Sequence, residues 1–436
     1  MLFRLLDKSQ NNLFWDNNFN IFYDQFHNPI NLLNQFELTP FKTASAYFVE
    51  RAYQYDSRTK DVPHHVETKN LKRVKFQLGM NCNESCLYCS QRVCRTNDKK
   101  VSNLDFLFDN LTTAPIDWSS LECIELWGGE PFVYWKTLKP LVEFLRNDLK
   151  YKGKIRTTTN ASLFTDSIAN WCIEQDLKIK FSHDGVNQKF QRSVNDWLDN
   201  PKIVSNVVRC IQESGGVIAC EFSPLHDTNL FHSLDLFRER LGETSILFEG
   251  AFWCDNTNSY LLAGYTPQKI EEVSHSYQKI LLASIDSDNM YYKQLKGTRG
   301  SFLDYLNRIV YGKLSASLAH HCASKSRSIL TFDMSGNYLP CQGATANQKL
   351  GVGSIENVNE CYDVGFTSAH YRPRCCICPY VVLCGGPCGY RHDLEEIAYC
   401  KSVRWSFDSM FRTAVKVLLD FDIVKIEPHE PSKSYC

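Results

Sequence analysis

The chain has 436 residues, of which 43% are hydrophobic, with 48 Lys and Arg set against 49 Asp and Glu. That length and apolar content suffice for a large core and exclude a disordered chain, while the charge balance excludes recognition of nucleic acid or an anionic membrane through a global field. The first ten residues, MLFRLLDKSQ, are too charged for a signal peptide, and no apolar run approaches the ~20 residues of a membrane helix, so a cytoplasmic protein with no membrane or nucleic-acid partner is expected.

The cysteine count of 19 is high. A reducing compartment does not maintain structural disulfides and exposes free thiols to oxidation, which makes metal ligation the reading to test against spacing.

Residues 1–72 are aromatic and Asn-rich without clear periodicity, and they end in the polar stretch Asp56 to Asn70. They are expected to form a small N-terminal module of undetermined fold. Over 73–300, short apolar runs alternate with amphipathic stretches: Val74 to Leu78, Leu121 to Trp127, Lys154 to Thr159, Leu177 to Ser182, Val217 to Phe222 and Ile246 to Glu249. The segments between them, among them Val133 to Leu149, Phe164 to Gln175 and Ile203 to Glu213, have helical length and apolar spacing, with Gly153 and Gly215 positioned to end helices. Six strand-like runs separated by helices predict an α/β fold, a partial (β/α)6 TIM-like barrel. Beyond the polar connection Tyr291 to Gly300, residues 301–436 become dense in Cys, Gly and short loops, the pattern of a separate metal-dependent module.

Directly after the first run stands Cys82-Asn-Glu-Ser-Cys86-Leu-Tyr-Cys89, a C-x3-C-x2-C array where the C-terminal mouth of a barrel would lie. Three thiolates so close together can hold three irons of a four-iron cluster and leave the fourth open. A structural zinc site is the alternative, but no second cysteine pair lies nearby to complete a tetrahedron. The second run ends in Trp127-Gly128-Gly129-Glu130-Pro131, where two glycines allow close backbone approach and Glu130 can accept from a cationic amine. The third ends at Thr159-Asn160, which suits either turn chemistry or a ligand contact. The fourth ends at Ser182-His183-Asp184-Gly185, with Arg192 beyond it. Glu221 and Glu249 close the fifth and sixth, as mouth carboxylates or as solvated charge.

In the last module, Cys322-x13-Gly336-x4-Cys341 precedes Cys375-x2-Cys378-x5-Cys384-x3-Cys388, and Cys400 follows. Chance or core packing does not account for seven cysteines in so short a segment. Cys94, Cys123, Cys172, Cys210, Cys220, Cys254, Cys376 and Cys436 show no ligand spacing and read as small hydrophobes.

The three-cysteine array with Tyr88 before its last cysteine, together with Gly128-Gly129-Glu130, resembles the radical S-adenosylmethionine (SAM) superfamily. The segment 322–400 resembles its seven-cysteine SPASM module. The resemblance implies a [4Fe-4S] catalytic cluster on Cys82, Cys86 and Cys89, with S-adenosylmethionine chelating the free iron and yielding a 5'-deoxyadenosyl radical. Tyr88, Gly128, Gly129, Glu130, Asn160, Ser182 and Arg192 would contact the cosubstrate. It further implies two auxiliary iron-sulfur clusters: a distal one on Cys375, Cys378, Cys384 and Cys400, and a proximal one on Cys322, Cys341 and Cys388. Fully ligated members carry a further cysteine just before the first, where this chain has Leu314 to His321; His320, His321 and Cys361 are candidates for the missing ligand.

By the same resemblance the substrate is a peptide, commonly a ribosomally made precursor that becomes cross-linked through a side-chain β-carbon, by a carbon-carbon, ether or thioether bond. Residues 1–72 are a candidate leader-binding element, and flavodoxin or ferredoxin the electron donor. A formylglycine-forming oxidase of the anaerobic sulfatase-maturing type is the rival, although those members carry an aspartate where this chain has Gln342, itself a candidate at the mouth. A non-catalytic iron-sulfur electron carrier is the alternative of another class, and it gives no reason for Gly128-Gly129-Glu130.

Overall fold

Side chains alternate across a strand, so residues two apart share a face, and that alternation organises the centre of this protein. The computed structural model describes residues 2–16, 21–32, 64–65, 71–89, 91, 103–192, 195–250, 263–310, 328–363, 372–375, 377–384, 386 and 393–429. In it the six expected runs are strands β5 (Arg73–Gln77), β6 (Cys123–Trp127), β7 (Lys154–Thr159), β8 (Leu177–Ser182), β9 (Gly216–Phe222) and β10 (Ile246–Gly250). With a seventh strand, β11 (Ile329–Asp333), they form one parallel sheet in the order β10-β9-β8-β7-β6-β5-β11.

This seventh strand lies outside the βα repeat and comes from the cysteine-rich half. It pairs in parallel with β5, Leu330 beside Val74 and Phe332 beside Phe76. The α/β half-barrel expectation therefore holds, and the segment beyond residue 300 closes one edge of the sheet.

One face of the sheet carries Val74, Phe76, Ile124, Leu126, Ile155, Ile179, Phe181, Ile218 and Phe248, all at most 2% exposed and part of the main core. Helices cover this face. They include α1 (Trp135–Asn147), whose Leu138, Leu141 and Leu145 are fully buried, and α2 (Pro201–Ser214). The ends of α2 follow local chemistry: the Asn200 side chain accepts from the amides of Lys202 and Ile203, Pro201 presets the first turn, and Gly215 ends it at φ +76°. Gly153 does not end a helix. Helix α1 stops at Asn147, and Gly153 instead lies under the Tyr151 ring just before β7.

The opposite face carries Arg73, Lys75, Gln77, Glu125, Arg156, Lys178, Lys180, Glu221 and Glu249, as the strand registers require. Parallel sheets covered on both sides read as continuous apolar runs; a charged inner face marks a half-barrel with a polar interior.

The described strands near the N-terminus pair with the far end of the chain. Strands β1 (Leu2–Leu6), β2 (Asn12–Asp16) and β3 (Ile21–Tyr23) join β14 (Lys425–Pro428) in an antiparallel sheet ordered β14-β1-β2-β3. Trp15, fully buried, donates from Nε1 to the Pro379 carbonyl at 3.2 Å and packs on Phe22 and Phe411 at 4.5 and 5.1 Å between ring centres. The short β4 (His64–His65) pairs with β13 (Tyr362–Asp363), which pairs with β12 (Gly351–Val352). Among the described residues no helix is long and apolar enough to cross a membrane.

Candidate active site

Strand β5 runs directly into the loop bearing Cys82, Cys86 and Cys89, which places them at the C-terminal edge of the sheet, where βα proteins keep their chemistry. The Gly128-Gly129-Glu130 turn at the end of β6 grips the start of that loop backbone to backbone. Gly129 N donates to the Gly79 carbonyl and Glu130 N to the Asn81 carbonyl, each at 2.9 Å. A Cβ on Gly129 would lie 2.2 Å from the Asn81 oxygen, and one on Gly128 2.6 Å from the Gly79 oxygen. The close approach that needs these glycines is to the cysteine loop itself. Gly79 (φ +149°) has the Tyr134 ring in its Cβ position, and the Tyr134 hydroxyl accepts from Asn81 N at 2.7 Å.

Glu130 is 2% exposed. Its carboxylate accepts from Phe132 N at 3.0 Å, Thr159 Oγ1 at 2.8 Å and Asn160 N at 2.8 Å. A carboxylate offers about four lone-pair directions, so one remains for a cationic donor. Burial raises its pKa, and these three donors pull it back. Thr159 and Asn160 thus hold Glu130, and each also shapes its own turn, Thr159 Oγ1 accepting from Ala161 N at 3.1 Å and Asn160 Oδ1 from Ser162 N at 3.0 Å. The Asn160 amide also donates to Asn83 Oδ1 at 2.8 Å and lies 4.0 Å from Cys82 Sγ, so it braces the cysteine loop.

A second brace has no signature in the sequence. Asp184, fully buried, accepts from the Tyr88 hydroxyl at 2.9 Å and from Arg192 Nε and Nη2 at 3.2 and 3.1 Å. Arg192 also donates to the Tyr88 hydroxyl, and its Nη1 stands 3.7 Å from Glu84 Oε2. Glu84, 6% exposed, is pushed up to about 7 by burial, with Arg192 opposing and Glu130 and Asp184 reinforcing the shift. Arg192 is therefore committed largely to protein carboxylates. Glu84 is part of the loop itself, while Asp184 and Tyr134 are distant in sequence and the fold brings them to it. Ser182 lies half-buried at the end of β8, its carbonyl accepting from Trp197 Nε1 at 3.3 Å.

Cys82, Cys86 and Cys89 stand on one pinned loop, and three thiols on such a loop are the donor chemistry a cluster would take. Cys82 and Cys89 are half-buried and Cys86 buried, with the Cys86 thiol 3.8 Å from Glu84 Oε2 and its pKa driven far up by burial. A thiol in that setting loses its proton to a metal rather than to water. Among the described residues, no three His, Cys, Asp or Glu are grouped to hold a single metal ion.

Glu221 and Glu249 stand side by side in register on β9 and β10. Glu249 is ion-paired with Lys180, and Glu221, half-buried, has its pKa raised by burial and by Glu249. Gln342 is clasped by β5: its Oε1 accepts from Lys75 Nζ at 2.6 Å, and its backbone carbonyl from Gln77 Nε2 at 2.8 Å. Lys75 in turn pairs with Glu125 at 2.8 Å.

In the C-terminal half, Cys375, Cys378, Cys384 and Cys400 line a single cavity of about 300 Å³, together with Tyr380, Tyr399, Val403 and Phe407. Cys341 is half-buried beside Gln342. Cys361 is fully buried with its thiol facing the Ser354 carbonyl at 3.6 Å, the posture of a packed residue. Cys322, Cys388, His320 and His321 lie outside the described residues, as do Cys94, Cys254, Cys376 and Cys436. Cys123, Cys172, Cys210 and Cys220 are at most 1% exposed and behave as small hydrophobes.

A parallel half-barrel with a C-x3-C-x2-C loop at its mouth, pinned by a Gly-Gly-Glu turn, defines the class of fold, and that fold is shared with the solved structure of anSMEcpe with bound AdoMet. The comparisons agree with it. The chain is 21% identical over 189 residues to the radical SAM cyclopropyl synthase TigE of Paramaledivibacter caminithermalis, covering 39% of each chain. It is 25% identical over 130 residues to an uncharacterized protein of Methanocaldococcus jannaschii, covering 29% of this chain and 42% of that one. The chain thus matches about two-fifths of the length of either relative. Among solved structures, anSMEcpe with bound AdoMet superposes with a TM-score of 0.57 at 18% identity over 79% of this chain and 99% of that one. No protein-family model matches.

Proposed function

We propose that the chain is a radical SAM enzyme that modifies a peptide. The observation that carries this reading is the cysteine loop, held by Gly79, Gly128 and Gly129 on one side and by the Tyr88–Asp184–Arg192 network on the other, at the mouth of a polar-lined half-barrel. Cys82, Cys86 and Cys89 would hold a [4Fe-4S] cluster and Glu130 would offer its remaining lone pair to the methionine ammonium. Asn160 would hold the loop against Cys82. When bound, cluster and S-adenosylmethionine supply a 5'-deoxyadenosyl radical able to take hydrogen from an unactivated carbon. The peptide would lie along the inner face, where Lys180, Glu221, Glu249 and Gln342 are within its reach.

A peptide substrate draws support from a neighbour solved with AdoMet and the Kp18Cys peptide bound, at a TM-score of 0.57 and 17% identity, and radical SAM chemistry from the relative TigE, a radical SAM cyclopropyl synthase. Within this reading we favour cross-link formation in a ribosomal precursor over formylglycine formation, because Gln342 has its side-chain oxygen committed to Lys75 and carries no carboxylate. We assign Cys375, Cys378, Cys384 and Cys400 to a distal auxiliary cluster, since they share one cavity, and Cys322, Cys341 and Cys388 to a proximal one. A flavodoxin or ferredoxin would supply electrons.

The test is anoxic reconstitution with iron and sulfide, followed by reductant and S-adenosylmethionine. Release of 5'-deoxyadenosine is expected, and its absence from protein with full iron loading overturns the reading. Coexpression with short reading frames adjacent to the gene, read by mass spectrometry, then identifies the linkage.

A further inference from the structure

The inner face of the half-barrel carries positive charge that its own carboxylates do not neutralise. Arg73 and Lys75 on β5 both pair with Glu125 on β6, at 3.2 and 2.8 Å. The register sets Arg156 of β7 beside that same Glu125, and Lys178 of β8 beside Arg156. Lys178 is held by Asp176 at 2.6 Å and by the Ser214 carbonyl. Arg156 is left over: it is exposed on a central strand and, among the described residues, has no carboxylate partner. Lys154, two residues earlier on the same face, is exposed and has none either. Burial raises the pKa of the Cys123 thiol at the start of β6, and Arg156, Arg73 and Lys154 all pull it down against Glu125, which places the three cations around one spot.

Central strands of a parallel sheet are ordinarily apolar on both faces, and like charges side by side on neighbouring strands destabilise the pairing. Arg156 beside Lys178 therefore has a cost that an anion between them would offset. A guanidinium presents a planar fork that matches a carboxylate with two parallel hydrogen bonds. The carboxylates of Glu221 and Glu249 stand at the other end of the sheet, so a negative group is steered to β7 rather than across the whole face. From Arg156 up to Asn160, which braces Cys82, the chain climbs ~13 Å at about 3.3 Å per residue of strand. An extended peptide covers the same span in about four residues.

We propose that Arg156, with Lys154 beside it, holds a carboxylate of the peptide substrate, about four residues along that peptide from the residue that reacts. The inference rests on the peptide-modifying reading and adds a substrate class to it: peptides that carry an Asp or Glu side chain, or their own C-terminal carboxylate, at that separation. Both sources offer the same chemistry to the guanidinium. The unpaired cations belong to one strand, and the whole chain sets 48 Lys and Arg against 49 Asp and Glu, which favours a single carboxylate over a polyanion such as RNA.

The test screens the reconstituted full chain against a library of short random peptides with amidated C-termini and reads the bound sequences by mass spectrometry. Asp and Glu are expected to be enriched about fivefold over the input, the worth of one solvent-accessible charge pair. Arg156→Gln is expected to remove the enrichment, and Arg156→Lys to keep part of it, because the charge stays while the fork is lost. Lys293→Gln, at an exposed cation paired with Glu243 outside the sheet, is expected to leave it unchanged. A parallel library with free C-termini separates the two sources: enrichment whatever the side chains assigns the chain end, and enrichment of Asp and Glu alone assigns the side chain. No enrichment in either library, or enrichment that survives Arg156→Gln, overturns the proposal. So does a short RNA that binds more tightly than any selected peptide and loses affinity in the same variant. Release of 5'-deoxyadenosine by the native chain is measured in parallel: release without acidic enrichment sinks this inference and leaves the enzyme reading standing, whereas acidic enrichment without release does the reverse.

Discussion

Cys82, Cys86 and Cys89 sit on one loop shaped by polar contacts: backbone bonds to a Gly-Gly turn, a buried carboxylate with three donors, and an arginine between Asp184 and Glu84. Cys375, Cys378, Cys384 and Cys400 instead line a cavity walled by Tyr380, Tyr399, Val403 and Phe407, backed by the N-terminal sheet through Trp15. The first arrangement fixes geometry by hydrogen bonds and charge, which tolerate little change, because each buried group left without its partner bears its full desolvation cost. The second relies on apolar packing, where a lost contact lowers stability in proportion to the volume removed. On the proposed assignment, a catalytic metal would need a defined open side with the polar loop rigid around it, and a closed cluster would need enclosure.

The sharpest way to break this contrast is to exchange the cysteines one at a time. Cys86→Ala is expected to reduce 5'-deoxyadenosine release to background, while Cys378→Ala retains release and loses iron, both read by chromatography and iron analysis. Equal loss in both variants would mean that the two regions are not functionally separable.

Arg192→Met leaves Asp184 and Glu84 uncompensated, and unfolding free energy is expected to fall by about 3–5 kcal/mol, measured by denaturant titration of anoxic protein. In the apolar region, Trp15→Ala is expected to cost about 3–5 kcal/mol by the same titration, with hydrogen exchange accelerated in β1, β2 and around Pro379 rather than at the cysteine loop. Acceleration confined to the loop would contradict the division drawn above.

Gly129→Ala forces a methyl into the Asn81 carbonyl, at an expected cost of about 1–3 kcal/mol, and should impair 5'-deoxyadenosine release more than global stability. The smallest effect is reserved for Gln342→Ala, which removes the partner of Lys75 and should cost about 1 kcal/mol, because Glu125 still pairs with that lysine.

Much of the fold was legible because its signals are local. Six strands follow from apolar runs of strand length, and α2 starts and stops on Asn200, Pro201 and Gly215. The parts that escaped depend on distant partners. Strand β11 is five residues that acquire meaning only beside β5, and β14 ends in Pro428 yet pairs with β1 at the other end of the chain. At the site, the cysteines and Gly128-Gly129-Glu130 stood out by spacing, but the sequence does not show that the glycines serve the cysteine loop or that Arg192 is bound to Asp184 and Tyr88. Glu84 and Asp184 stand inside quoted segments, but their roles arise from burial and charge, which one-dimensional patterning does not encode.

The central claim is that the iron held by Cys82, Cys86 and Cys89 keeps one position for S-adenosylmethionine. Electron paramagnetic resonance of the reduced, reconstituted protein tests it directly. Adding S-adenosylmethionine is predicted to shift the cluster signal of the native chain, with that signal missing in Cys86→Ala; a spectrum unchanged by the cosubstrate would contradict the account.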